Sequence, residues 1–298
     1  MKKTKVLHYD AFSQSPNKGN PAGVVLDADL LSDSDMQSIA HEVGFNETVF
    51  VVASDKADLR LRYFTPGHEI NLCGHATMAS LYALKTTGVL GDVSSVHIDT
   101  NVGVLPIYFS YDDNNQLIIR MKQDHPEFIE FNGDRTKLAY SIGLTVDELE
   151  EDMPIVYGCT GAWTLLVPIK NIDSFSRMKP TNSLFPNILT ELPKASVHPF
   201  CLQTLDPQAL MHARHFSSPF SGTVEDPVTG TASGVMGAYY LNYVDLNLNA
   251  VHFEVEQGLE IGKDGKVSVE VYRNEFGKMD VFISGTAVFV RELDIEYP

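Results

Sequence analysis

The chain has 298 residues, 44% of them hydrophobic, with 22 Lys and Arg against 39 Asp and Glu, a formal charge of −17. That length and apolar content support two domains, or one domain of two lobes, with a real core. So acidic a surface repels phosphate backbones and anionic membranes, which argues against nucleic-acid and membrane partners.

In chain order, Met1-Lys2-Lys3 leads into the alternating TKVLHYDAFSQ rather than an apolar run, so the start does not read as a signal peptide. No stretch of about 18 apolar residues follows anywhere. Residues 4–12 and 23–27 read as strands, joined by the turn-rich SQSPNKGNPA. Ser32 with Asp35 forms an approximate capping box opening a helix to about Val43. ETVFVVA (47–53) and LRLRYFT (59–65) read as strands, the second with arginines alternating against apolar residues. A loop, PGHEINLC, leads to Gly74, where a helix starts and runs toward Gly88. Strands are expected near 95–100, 103–111 and 116–123, and HPEFIEFNGD reads as a linker between lobes. The second half predicts helices at 135–142, 145–152, 171–178 and from Gly230. Its strands are expected at 155–159, 164–170, 196–203, 210–218, 251–257, 266–273 and 279–291. The mixture is α+β. Neither G-x-G-x-x-G after a strand nor G-x-x-x-x-G-K-[ST] occurs, so nucleotide-binding folds lack their signature.

The chain repeats itself. RYFTPGHEINLCGHAT (62–77) and RHFSSPFSGTVEDPVTGTAS (214–233) share Arg, Phe, a hydroxyl residue, Glu, Gly, Ala and a second hydroxyl residue in order. The second copy carries four more loop residues. Each is strand, loop, glycine, helix, which suggests duplication into two lobes. A helix start presents unpaired N–H groups and about half a positive charge. Two such starts, at Gly74 and Gly230, facing each other across a cleft would cradle a carboxylate. The same residues could also serve only as helix caps.

GNPAGVV (19–25), GFNETVFVV (44–52), RYFTPGHEINLCGHAT and EDPVTGTASG (225–234) together resemble the phenazine-biosynthesis PhzF-like family. The order and spacing match over nearly the whole chain. The resemblance implies a diaminopimelate epimerase-like fold: two pseudo-symmetric lobes, each a curled mixed sheet around a central helix. By that fold the final strand returns to the first lobe, giving lobes 1–122 plus 284–298 and 123–283. In the best-understood branch one glutamate carries a proton between two carbons of a dihydro-hydroxyanthranilate. The resemblance makes that glutamate Glu47, adds His75 and Asp226 as catalytic residues, and places Asn20 in the GNP loop lining the cleft. Gly74, Gly230 and Thr231 become substrate-binding positions, Thr231 standing where that branch has serine.

The residues themselves fit this chemistry without requiring it. A carboxylate at the mouth of a buried strand, as Glu47 is, loses water and becomes usable as an acid or base. It could equally be a solvated strand end. The positive helix end disfavours imidazolium, so a neutral His75 is expected, as hydrogen-bond partner or proton relay. Asp226 before Pro227 could bind a substrate amine, orient His75, or simply open a turn. Cys73 lies beside a helix start, where a thiol can be activated. In racemases of this fold each lobe supplies a cysteine there; here the second position is Thr229, and Cys73 reads as a packing residue. Cys159 and Cys201 read as core and Trp163 as structural. The three cysteines are widely spaced with no C-x-x-C pair, so neither a disulfide framework nor a zinc site is expected, and a reducing cytoplasm fits. No clustered ligand set is visible, so no metal or organic cofactor is expected. The expected protein is an isomerase acting on a small carboxylate substrate, working as a homodimer. The alternatives are an epimerase or racemase using Cys73, and a binding protein that has kept the site and lost turnover.

Overall fold

In a computed structural model describing residues 1–298, the chain divides into two compact units, Met1–Lys122 with Ser284–Pro298 and Gln123–Ile283. The first eight strands are β1 (Lys2–Ala11), β2 (Asn20–Val25), β3 (Glu47–Val52), β4 (Leu59–Phe64), β5 (Glu69–Ile70), β6 (Ser95–Thr100), β7 (Gly103–Tyr111) and β8 (Leu117–Lys122). Helix α1 (Asp33–Val43) lies between β2 and β3, and α2 (Gly74–Thr86) between β5 and β6 in sequence. The second unit begins with β9 (Glu127–Glu130), α3 (Arg135–Ser141), β10 (Val156–Cys159) and β11 (Trp163–Pro168). It continues with α4 (Phe185–Ile188), β12 (Ser196–Cys201), β13 (Ala209–Ala213) and α5 (Gly230–Tyr239). Strands β14 (Ala250–Gln257), β15 (Gly265–Arg273) and β16 (Met279–Gly285) follow, and β17 (Ala287–Tyr297) closes the chain. No helix is long and apolar enough to cross a membrane.

In the first unit the ladder runs β17-β1-β2-β3-β4-β6-β7-β8. From β1 onward the pairings alternate antiparallel, parallel, antiparallel, parallel, antiparallel up to β7. In the second unit the ladder runs β9-β10-β11-β12-β13-β14-β15, and from β10 the same alternation repeats. A parallel pair needs a crossover, and in each unit the crossover of the second parallel pair is the central helix: β4–α2–β6 and β13–α5–β14. The duplicated strand–loop–helix segment is thus one topological step used twice.

The central helices are buried almost all round, as a helix wrapped by a sheet must be. In α2 the buried residues run from His75 to Leu81 and from Ala83 to Lys85; in α5 only Thr231 escapes. Lys85 is buried yet satisfied: its Nζ donates to the carbonyls of Gly91 (2.8 Å) and Val93 (2.6 Å) and lies 5.2 Å from the Phe109 ring. Small residues let α5 approach its sheet, since a Cβ on Gly237 would fall 2.6 Å from methyls of both Val269 and Val271.

Helix α1 starts as its sequence requires. Ser32 accepts from the Asp35 N–H while the Asp35 carboxylate accepts from the Ser32 N–H, and Gly44 ends the helix at φ 70. Several expectations need correction. HPEFIEFNGD is no bare linker, because β9 lies inside it and pairs with β10. The helices expected at 145–152 and 171–178 are short 3-10 turns, Val146–Glu148 and Ile172–Arg177, with no helical stripe long enough to bury. The strand expected at 210–218 stops at Ala213, where the chain turns into the loop carrying Arg214. The stretch 279–291 is two strands broken at Thr286, whose carbonyl accepts from the Phe12 N–H at 2.7 Å. Asn20 lies at the first position of β2, opposite Ala11, and is fully buried rather than in a loop.

Candidate active site

The two repeat copies give identical local architecture. Arg62 donates from Nε and Nη2 to the two Glu69 oxygens at 2.9 and 2.8 Å; Arg214 does the same to Glu225 at 2.9 and 2.6 Å. Each guanidinium also lies over the phenylalanine two residues on, at 5.2 Å for Phe64 and 4.9 Å for Phe216. The hydroxyls of Thr77 and Ser233 donate back to the carbonyls of Cys73 (2.7 Å) and Thr229 (3.0 Å), the residues just before each helix. The matched residues therefore build a scaffold: a forked ion pair pins the loop and so aims the helix start. Neither Cys73 nor Thr229 caps its helix through its side chain.

The chemistry gathers at the start of α2. Glu47 opens β3, which pairs with β2, and α2 packs on both strands. His75, the second residue of α2, has a side chain only 7% exposed, and its Nε2 lies 3.1 Å from Glu47 Oε2. That approach falls outside hydrogen-bond geometry, so Oε2 is buried with no hydrogen-bond partner. On the other side of the ring, His75 Nδ1 is 3.3 Å from Cys73 Sγ. The result is a carboxylate–imidazole–thiol row spanning one strand and one helix.

Burial would push the His75 imidazole down, but Cys73 and Glu47 beside the ring outweigh it and hold it well above its ordinary value. Two adjacent polar groups thus act on the ring against the field of the helix end. Burial raises the Cys73 thiol, and the Glu47 charge raises it further against the opposing His75. Cys73 is half-buried and in contact with His75. No ligand set was visible along the sequence, yet folding brings donor atoms of Glu47, Cys73 and His75 within 4.8 Å of one another.

In the second unit, Thr229 Oγ1 donates to Asp226 Oδ2 at 2.5 Å, and the Asp226 N–H donates to the His215 carbonyl at 3.0 Å. Gln257, fully buried at the end of β14, donates to the Asp226 carbonyl at 2.9 Å and accepts from the Thr229 N–H at 3.2 Å. Gly230 opens α5 and is buried; the Thr231 carbonyl accepts from Thr160 Oγ1 at 2.9 Å. Gln257 was not singled out in the sequence, since a polar residue closing an alternating strand carries no signal of its own. Asp10 is a second omission. It is fully buried, bound by His8 Nε2 at 2.9 Å and by the Asn17 N–H at 2.6 Å, and so folds the loop that leads to Asn20. Within that loop Gly19 has φ +62, and a Cβ there would strike the Ala11 carbonyl at 2.3 Å.

Two units of one topology, each wrapping a sheet round a buried helix whose start follows an Arg–Glu-pinned loop, define the diaminopimelate epimerase-like class of α+β proteins. A solved hydroxyproline epimerase from Agrobacterium vitis has this fold at TM-score 0.63 with 11% identity, covering 99% of this chain and 91% of that one. The chain itself belongs to the phenazine biosynthesis-like protein family, which it matches over residues 9–293. A crystal structure of a Bacillus anthracis phenazine biosynthesis protein of the PhzF family superposes at TM-score 0.97 with 53% identity over 99% of this chain and all of that one. Relatives are named isomerases. The Bacillus subtilis isomerase YfhB is 53% identical over 97% of both chains. The trans-2,3-dihydro-3-hydroxyanthranilate isomerase of Pseudomonas aeruginosa is 28% identical over 87% of both.

Proposed function

We propose that this protein is a cofactor-independent isomerase that moves a proton within a small carboxylate-bearing substrate, with Glu47 as acid and base. The observation that carries the reading is the Glu47 Oε2 oxygen, buried and 3.1 Å from His75 Nε2. A carboxylate oxygen so placed can take a proton from an activated C–H. The C–H electron pair moves into the substrate's conjugated system, a second carbon takes the proton from the Glu47 carboxyl, and the carboxylate is regenerated. His75 offers a cation beside the charge as it moves. Asp226 is assigned a catalytic role, and Asn20, Gly74, Gly230 and Thr231 are assigned to substrate binding, with Thr231 supplying a hydroxyl.

A second reading has its own observation. With Sγ 3.3 Å from His75 Nδ1, Cys73 could exchange a proton through the ring and act as an epimerase base. One experiment separates the two. Candidate carboxylates, beginning with trans-2,3-dihydro-3-hydroxyanthranilate, are incubated in deuterated water and followed by NMR. Glu47→Gln is expected to lose about 10²–10⁴-fold in exchange and turnover, while Cys73→Ala keeps most of both. The reverse pattern establishes the thiol reading. Ligand binding by wild-type protein with no exchange at any carbon would mark a binding protein and end both.

A further inference from the structure

We infer that Glu47, Cys73 and His75 form a capture site for a thiophilic divalent cation of the zinc type, which would occupy the site and block it. The three residues offer a carboxylate oxygen, a sulfur and an imidazole nitrogen, a donor set suited to Zn2+. Their separations fit as well. Tetrahedral zinc with Zn–S of about 2.3 Å and Zn–N and Zn–O of about 2.1 Å needs S···N near ~3.6 Å and N···O near ~3.4 Å. His75 Nε2 lies 3.1 Å from Glu47 Oε2 and 3.9 Å from Cys73 Sγ, which is nearer Nδ1 at 3.3 Å, so both other donors lie within reach of one imidazole ring. All three donor atoms lie within 4.8 Å of one another.

An independent observation points the same way. Glu47 Oε2 is buried and makes no hydrogen bond, which leaves an oxygen lone pair available to a cation. The donors are also held in place: Glu47 by the β2–β3 pairing, and Cys73 and His75 by the first turn of a buried helix. Three protein ligands leave a fourth position for water or a substrate oxygen, the pattern of open rather than structural zinc sites. On binding, Cys73 coordinates as the thiolate and His75 as the neutral imidazole, and each proton displaced from the sulfur or the ring passes to solvent. Inhibition by the metal rests on the proposed role of Glu47 as base; the binding itself does not.

The test uses the whole chain, stripped of metal with a chelator, and Zn2+ alone, titrated in competition with a chromogenic zinc indicator. One Zn2+ per chain is expected. Cys73→Ser, His75→Gln and Glu47→Gln should each weaken it at least about ten-fold, a loss typical even of outer-shell partners. Cobalt(II) supplies a direct signature: a sulfur-to-metal charge-transfer band present in wild type and in Cys159→Ser, and absent from Cys73→Ser. Circular dichroism confirms that each variant is folded. Failure of wild type to compete with the indicator, or undiminished zinc affinity in the triple variant, overturns the site and leaves the isomerase reading to its own exchange assay.

Discussion

His75 and His212 are both raised by polar neighbours that outweigh burial, and His212 shows it in the cleaner setting. Its side chain is fully buried, with Nδ1 2.7 Å from Glu256 Oε1 and Nε2 2.8 Å from Glu260 Oε1. Both ring nitrogens face carboxylate oxygens, so both must donate, which only the imidazolium can do. Burial opposes that charge, but the two glutamates outweigh it and raise the ring above its ordinary value. Glu256 and Glu260 are drawn below theirs, burial opposing and the His212 hydrogen bond prevailing. A folded-state value above the unfolded one of about 6.5 gives stability fully present below that pH and lost as pH rises through the folded value. Thermal unfolding followed from pH 6 upward should therefore show wild-type stability falling, while His212→Gln flattens that limb. At pH 6 the variant should be less stable by ~3–5 kcal/mol, since two buried carboxylates lose their counter-ion. An unchanged alkaline slope would show that His212 is not the titrating group.

At the scale of the element, the two central helices use glycine differently. Gly237 lets α5 lie against β15, and Gly158 on β10 makes room for Val235 of α5, whose methyl would be 2.7 Å from an added Cβ. Gly74, by contrast, opens α2 with nothing within 4 Å of the position a Cβ would take. Gly237→Ala should cost ~1–3 kcal/mol in denaturant unfolding, the usual price of overpacking. Gly74→Ala should leave stability within about 0.5 kcal/mol, as surface changes do, and yet lower turnover if a substrate reaches that backbone. Loss of stability in the Gly74 variant would assign that glycine to packing. The Arg62–Glu69 and Arg214–Glu225 forks explain why Arg, Glu and Phe recur in both copies: they shape the loop before each helix and take no part in the chemistry proposed for it.

For the whole molecule, the same alternation of antiparallel and parallel pairs in both units ties the internal repeat to one duplicated topology. The duplication is uneven. The first crossover is the regular helix α1 in the first unit, but 3-10 turns and the four-residue α4 in the second. The chemistry is uneven too, with Cys73 before one central helix and Thr229 before the other. The expected homodimer is checked by light scattering at micromolar concentration, where a mass of twice 33.0 kDa is predicted and a monomer mass would remove it.

Much of this was legible in the sequence because it is local. The α1 capping box, the alternation in LRLRYF and the helix beginning at Gly74 are decided by neighbours a few residues apart. The repeat and the four family motifs named the fold and singled out Glu47 and His75, which the structure places side by side. Short irregular segments were not legible, because 3-10 turns such as Val146–Glu148 carry no period, and because β9 is defined by its partner β10 rather than by its own residues. The upward shift of the His75 imidazole was likewise beyond the sequence. It depends on Glu47, 28 positions away in the chain, arriving 3.1 Å from the ring once β3 and α2 pack together. The sequence alone determined the long regular elements, the duplication and the reaction class its relatives share. Tertiary structure decided which groups meet and which way their proton affinities move, since short-range electrostatics acts through distances that only packing sets.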